Sequence, residues 1–265
     1  MSDATFPLGR IDGVSPTTDF SSVLYTSLLS LEALETAEIE GADVDMDEVY
    51  AYHTRGKSGD TENVSRDLQQ ALNAEQALRD GADAIKSGVS ISVALLKSLH
   101  ETLLKGVRNE GEIVGEWRDS DVHIPSPHRS QSPFVPPPAS TVTELMDLLE
   151  AYIQIGGEYH PLVDLAITHY HFETIHPCSD VNGRLGRILI VLQLLEASYL
   201  SDLYLYPSAY FNRNKQEYVV KMRAVSEEGN WRDWITFFID GIEDQARNSY
   251  ERTFELIELR REYET

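Results

Sequence analysis

His176-Pro177-Cys178-Ser179-Asp180-Val181-Asn182-Gly183-Arg184-Leu185-Gly186-Arg187 runs straight into Ile188-Leu189-Ile190-Val191-Leu192-Gln193-Leu194-Leu195. The apolar run is long enough for a buried helix. Its first turn falls near Asn182-Gly183, so backbone N–H groups without intrahelical partners face the preceding loop. A helix start of this kind attracts anions. Arg184 and Arg187, three apart, share one face of that turn, where the helix dipole disfavours positive charge, and an anionic partner would explain them. His176 can take a proton from an attacking hydroxyl, and Asp180 can hold a hard cation through oxygen. These residue types in this order point to nucleotidyl or phosphoryl transfer.

With the flanking His169-Tyr170-His171-Phe172-Glu173-Thr174-Ile175, the stretch resembles the Fic family, whose motif is written HPFxxGNGRxxR. The resemblance implies an all-α Fic fold, a helical bundle with a small β-hairpin flap. It also implies an activity, protein adenylylation, in which AMP passes from ATP to a Ser, Thr or Tyr hydroxyl of a target protein. On that reading His176 is the general base, Asp180 carries Mg²⁺, and Asn182, Gly183, Arg184 and Arg187 surround the phosphates. Two alternatives stay open: a weakened nucleotide-binding regulator or interaction module, and an enzyme that removes AMP.

Two positions depart from the family pattern. Cys178 stands where Phe is usual and reads as a smaller apolar core group rather than a nucleophile, since no catalytic-cysteine signature surrounds it. Val181 stands where the first glycine is usual. If that position needs a positive φ, a β-branched residue there carries about 1–3 kcal/mol of strain, or the backbone relaxes and misplaces an anion-binding N–H.

Far upstream, Thr36-Ala37-Glu38-Ile39-Glu40-Gly41 fits the inhibitory pattern S/T-x-x-x-E-G/N of self-restrained Fic proteins. Thr36 and Glu40, four apart, lie on one helix face, and Gly41 suits the C′ position that ends a helix. By resemblance, the Glu40 carboxylate pairs with Arg187 and takes the place of the ATP γ-phosphate.

The resemblance divides the chain into an N-terminal helical region (1–89), a Fic core (90–250) and a charged helical tail (251–265). Ser90 to His100 carries a Ser cap signal and helical periodicity. After Gly115-Glu116-Trp117-Arg118 comes Asp121-Val122-His123-Ile124, a β-prone piece closed by Pro- and Ser-rich turns and then Phe134-Val135-Pro136-Pro137-Pro138. This is the expected flap, with Val122, His123 and Ile124 docking the target segment by strand addition. The aromatics of Tyr206 to Phe211, Tyr218, Trp231 and Trp234 read as core. His169 and His171, two apart on a helix, point in different directions and cannot easily chelate one zinc. Glu173 reads as a partner for nearby polar groups.

The composition bounds these expectations. A chain of 265 residues can bury a substantial core, and a single cysteine excludes an intramolecular disulfide. No basic-then-apolar start and no apolar run of about 18 residues is present, so a cytoplasmic protein without membrane spans is expected. Asp and Glu outnumber Lys and Arg 44 to 22, giving a formal charge of −22. Such a surface suits a high-salt cytoplasm, where the Debye length falls to about 3 Å, and a halophilic origin is the expectation. The same charge argues against nucleic-acid binding, which needs clustered cations. Homodimerisation is left open.

Overall fold

In the computed structural model, residues 8–9, 21–55, 64–107, 113–125 and 133–264 are described. Their regular structure is helical apart from one isolated antiparallel bridge, so the all-α class holds. In chain order the helices are α1 (Ser21–Ile39), α2 (Met46–Arg55), α3 (Arg66–Lys86), α4 (Val93–Leu103) and α5 (Val142–Ile155). They continue as α6 (Pro161–Ile175), α7 (Asn182–Glu196), α8 (Ser208–Arg213), α9 (Lys215–Glu228) and α10 (Trp231–Glu264). Gly56 to Asn63, whose polar composition reads as a loop between helices, and most of the first twenty residues lie outside the described residues.

The apolar run after the motif forms the central helix. Leu185 and every residue from Ile188 to Leu192 are fully buried, as a helix apolar on all sides requires. α6, α3, α1 and α4 all pack on α7. Gly81 lets α3 approach closely, since a Cβ there would lie 2.8 Å from Leu192 Cδ1. At about 1.5–3 kcal/mol for each fully buried Leu or Ile, this helix is the main apolar anchor of the bundle.

Local chemistry sets the ends of the elements that meet at the motif. The Ser92 hydroxyl accepts the Leu95 N–H at 3.3 Å, so α4 is capped two residues beyond Ser90. Pro161 occupies the first turn of α6, where a missing N–H costs nothing. α1 closes with Ala42 N–H on the Ala37 carbonyl at 3.2 Å and Gly41 N–H on Glu38 at 2.9 Å. That is the Schellman pattern, with Gly41 at C′ and φ +97° as the sequence leads one to expect.

α1 is moored to α8 through its own carboxylates. Ser208 donates its N–H and hydroxyl to Glu32 at 3.0 and 2.5 Å, and Asn212 Nδ2 reaches Glu35 and Glu38 at 2.9 Å each. Burial pushes the Glu32 carboxyl up to about 8, outweighing the opposing pull of Ser208 and Arg187, so it is neutral at pH 7. Behind the motif, His169, Phe211, Tyr218, Trp234 and Phe238 form one aromatic cluster, in agreement with the expectation that these rings are core.

Candidate active site

The α6–α7 loop opens on a cavity of about 370 Å³ whose lining includes Glu40, His176, Gly183, Arg187, Ile124 and Phe134. Three sequence-distant features therefore meet in one space: the end of α1, the motif, and the segment expected as the flap. His176 terminates α6 in the left-handed region, with φ 51° and ψ 61°, and its N–H donates to the Phe172 carbonyl at 3.0 Å. That conformation turns the chain from α6 toward the start of α7.

Val181 is also left-handed, at φ 58° and ψ 17°. The backbone therefore keeps the glycine-like turn and carries the strain, instead of relaxing out of it. Its N–H is held by Asp180 Oδ1 at 2.7 Å. Asn182 braces the same loop from within, accepting the Cys178 N–H at 2.7 Å and donating to the Cys178 carbonyl at 2.9 Å. Cys178 is fully buried and burial raises its thiol pKa, so it serves as packing and not as a nucleophile.

Arg187 is almost completely buried, and α1 supplies its partners. Its Nε donates to Thr36 Oγ1 at 2.7 Å, and Nη2 donates to the Thr36 carbonyl at 3.0 Å and to Glu40 Oε1 at 2.7 Å. Thr36 and Glu40 thus act from one helix face, as their spacing requires. Burial tends to raise the Glu40 carboxyl pKa, but the charge and hydrogen bond of Arg187, with Arg184 and Lys215 behind, bring it below the ordinary carboxylate value. Gly183 makes the approach possible: a Cβ there would lie 2.3 Å from Glu40 Oε1. Lys215 Nζ donates to the Ile39 carbonyl, covering a free acceptor at the end of α1.

Burial lowers the His176 imidazole pKa against the backbone hydrogen bond to Glu173, and the nearby charge of Arg118 adds to the lowering against Glu40 and Asp180. The ring is therefore neutral at pH 7, the state a proton acceptor needs. Glu173 also lines the cavity, and burial pushes its carboxyl up to about 7 despite Arg187. His169 sits fully buried between the Tyr218 hydroxyl at 2.7 Å and the Gly186 carbonyl at 3.2 Å, while His171 is exposed, so the pair does not converge on a metal.

Not every residue singled out in the sequence faces the cavity. Arg184 is buried beside the same turn, where its charge lowers the Glu40 carboxyl, but it is not among the lining residues. Of the three flap residues only Ile124 lines the cavity; Val122 is half-buried and His123 exposed outside it. Among the described residues the pairing of the expected flap is one antiparallel bridge, in which Ile124 and Phe134 exchange both N–H···O bonds at 2.9 Å. Beyond it the Pro136-Pro137-Pro138 run offers no N–H donors to extend a ladder, and residues 126–132 lie outside the described residues.

Arg118 braces this site in a way that the sequence did not reveal. Its Nε donates to the His176 carbonyl at 2.8 Å, Nη1 to Ser120 at 3.0 Å, and Nη2 to Pro137 at 2.5 Å and Ile175 at 3.4 Å. Its own N–H donates to the Pro177 carbonyl at 2.8 Å. One side chain thereby ties both legs of the flap to the loop that carries His176. The Gly-Glu-Trp-Arg segment marked the place, but no spacing rule identifies an arginine that binds backbone carbonyls.

A helical bundle that joins this loop, the helix start behind it and an upstream carboxylate in one cavity is a Fic-type site, and the chain belongs to the Fic/DOC family. The family model "Fic/DOC family" matches residues 90–194 and "Fic/DOC family N-terminal" matches residues 1–83. A probable protein adenylyltransferase of Aquifex aeolicus is 26% identical over 197 residues, 74% of this chain and 54% of that protein. The protein adenylyltransferase Fic of Aedes aegypti is 28% identical over 128 residues, 48% of this chain and 23% of that protein. The chain thus spans about half, and about a quarter, of these relatives. In fold it is similar to a Fic family protein of Desulfovibrio desulfuricans, with a TM-score of 0.76 and 22% identity over 95% of this chain and 74% of that one. No helix among the described residues is long and apolar enough to cross a membrane.

Proposed function

We propose that this protein is an adenylyltransferase that moves AMP from ATP to a hydroxyl side chain of a target protein, and that the Thr36–Gly41 segment restrains it. The observation that carries the proposal is Glu40 seated on Arg187 over Gly183, in the cavity that His176 also lines. A buried guanidinium at a helix start is a place for a phosphate, and here a carboxylate occupies it. The neutral His176 ring accepts the proton of the incoming Ser, Thr or Tyr hydroxyl. The hydroxyl oxygen bonds to the α-phosphorus, the bond from that phosphorus to the bridging oxygen breaks, and pyrophosphate leaves. Backbone amides at the Asn182-Gly183 turn, with Arg184 and Arg187, offset the negative charge on the phosphates.

Asp180 is the residue that would hold Mg²⁺, whose contribution when bound is to neutralise phosphate charge. The donor set fits an ion carried mainly by nucleotide oxygens: Mg²⁺ commonly uses one or two carboxylates plus substrate phosphates. Among the described residues no group of three His, Cys, Asp or Glu side chains forms a protein-only cage, so zinc-type chemistry has no support. The left-handed turn at Val181 supports a competent anion turn over the weakened-regulator reading.

Intact-mass measurement tests the proposal. After incubation with ATP and Mg²⁺, the Glu40→Gly protein is expected to gain the mass of AMP, and the Glu40→Gly, His176→Ala double variant is not. Equal incorporation by both would remove His176 as the base. Nucleotide binding without incorporation by the single variant would leave a sensor in place of a transferase.

A further inference from the structure

Residues 133–183 contain no lysine or arginine, in a chain that has 22 of them. The same span holds four of the eight large apolar side chains exposed among the described residues: Val135, Leu148, Ile155 and Tyr159, with Ile155 at 84%. On α5, Leu145, Leu148, Tyr152 and Ile155 follow an i, i+3, i+7, i+10 spacing and share one face. The adjoining face turns Val142, Met146 and Leu149 into the core. Exposed Glu144, Asp147 and Glu158 rim the outer stripe.

Two hollows flank Tyr152. The first, of about 750 Å³, is an apolar groove between the Val135–Pro138 run, α5 and α6, lined by Leu145, Leu148 and Ile167 among others. Phe134 and Thr174 belong both to this groove and to the His176 cavity, so the two adjoin. The second, of about 650 Å³, is lined by Tyr152, Tyr159, Tyr199, Asp164 and Glu196 among others, with no Lys, Arg or His among the described lining residues. Tyr152 donates its hydroxyl to Asp164 Oδ1 at 2.6 Å, and Gly157 leaves room for that carboxylate, since a Cβ there would lie 1.9 Å from the same oxygen.

We propose that these two hollows form one docking surface for a basic, apolar-anchored segment of the target protein, and that this surface sets which hydroxyls reach His176. Apolar side chains of the partner would fill the groove, while a Lys or Arg enters the second hollow against tyrosine faces and two carboxylates. Charge complementarity selects this occupant. A second copy of the chain would bring acid against acid, because the described residues of this surface include no Lys or Arg. The link to His176 rests on the transferase reading; the binding itself does not.

The test uses the full chain and two fluorescein-labelled peptides with the same leucine spacing, one bearing Lys and Arg between the leucines and the other Glu. Fluorescence anisotropy is expected to show the basic peptide binding at least tenfold more tightly than the acidic one. Its affinity is expected to fall at least tenfold in Leu148→Asp and severalfold in Asp164→Asn, which keeps an acceptor for Tyr152. Circular dichroism melts confirm that each variant folds. Equal binding of both peptides, or indifference to both substitutions, overturns the proposal. So does a dimer in sedimentation velocity that Ile155→Asp dissociates, which would make the face an interface between copies. Self-labelling by Glu40→Gly, measured in the Leu148→Asp background, is expected to be unchanged. No labelling by Glu40→Gly itself, with basic-peptide binding intact, would sink the transferase reading and leave the docking surface standing.

Discussion

The contact between α1 and α7 and the join between the flap and the α6–α7 loop each turn on one buried arginine, and the two are held in opposite ways. Both side chains are 1% exposed. Arg187 is held by a carboxylate and a threonine at the end of α1, with the Tyr218 hydroxyl also beside it, and its Glu40 bond faces the cavity. Arg118 is bound by backbone carbonyls from both the flap and the loop, and its nearest carboxylate, Asp121, is 3.9 Å away on the exposed side. A phosphate can displace a carboxylate from a guanidinium, since the two are alike in charge and bidentate geometry. It cannot displace four carbonyls that belong to the frame. The first arginine's carboxylate partner is thus of a kind that a phosphate can replace, and the second's carbonyl partners are not.

Replacing Arg118 should break that frame and gives the largest effect. Arg118→Ala leaves carbonyls of Ser120, Pro137, Ile175 and His176 without this donor, and charged donors are worth about 1.5–3 kcal/mol each, though not additively. A loss of about 3–5 kcal/mol in urea unfolding is expected. Arg118→Lys should recover less than half of it, because an ammonium cannot span a planar fork. A midpoint indistinguishable from wild type would make the latch incidental and the contrast with Arg187 false.

The two arginines also differ in how far the sequence exposed them. The partner of Arg187 came from the family resemblance, while the residues themselves carried only that Thr36 and Glu40 fall four apart on one helix face and that Gly41 marks where that helix ends. The central helix was legible because an unbroken apolar run from Ile188 to Leu192 leaves no polar face to turn toward water, so the helix must be covered on every side. Arg118 was not, since carbonyl acceptors exist at every residue and leave no trace in side-chain spacing. How far the flap's pairing runs was not legible for a related reason. A β-prone Val122-His123-Ile124 needs a partner strand with N–H donors, and Pro136-Pro137-Pro138 supplies none. Asn182 shows a third limit, because the motif marks the residue, whereas only the fold shows its side chain bracing the Cys178 backbone.

Glu40→Gly sharpens the other half of the comparison and should cost less. The Glu40 side chain is 37% exposed and Arg187 keeps both Thr36 bonds, so about 1 kcal/mol is expected at pH 7 after solvent screening. The sign with pH follows from a folded carboxyl below its ordinary value: the contribution is present above the unfolded pKa and lost as pH falls through the lower folded one. The stability gap between wild type and Glu40→Gly should therefore close in urea titrations below pH about 4, while AMP incorporation at pH 7 rises. A gap that persists unchanged in acid would mean that the lost helix-end residue, not the ion pair, supplied the stability.

The smallest effect on stability should come from the flap's one bridge, although its effect on catalysis should be clear. Ile124→Pro deletes the N–H that reaches the Phe134 carbonyl and keeps the return bond from Phe134 N–H to the Ile124 carbonyl. Ile124 is only half-buried, so the melting temperature should move by no more than the equivalent of about 0.5 kcal/mol. If the flap orders a target segment by strand addition, labelling of a protein target should drop while ATP affinity, measured by calorimetry in the Glu40→Gly background, stays the same. A change in ATP affinity would instead place Ile124 on the nucleotide side of the cavity. Unchanged target labelling would mean that the bridge only closes the cavity wall, leaving the carbonyl latch at Arg118 as the whole of the flap's contribution to the site.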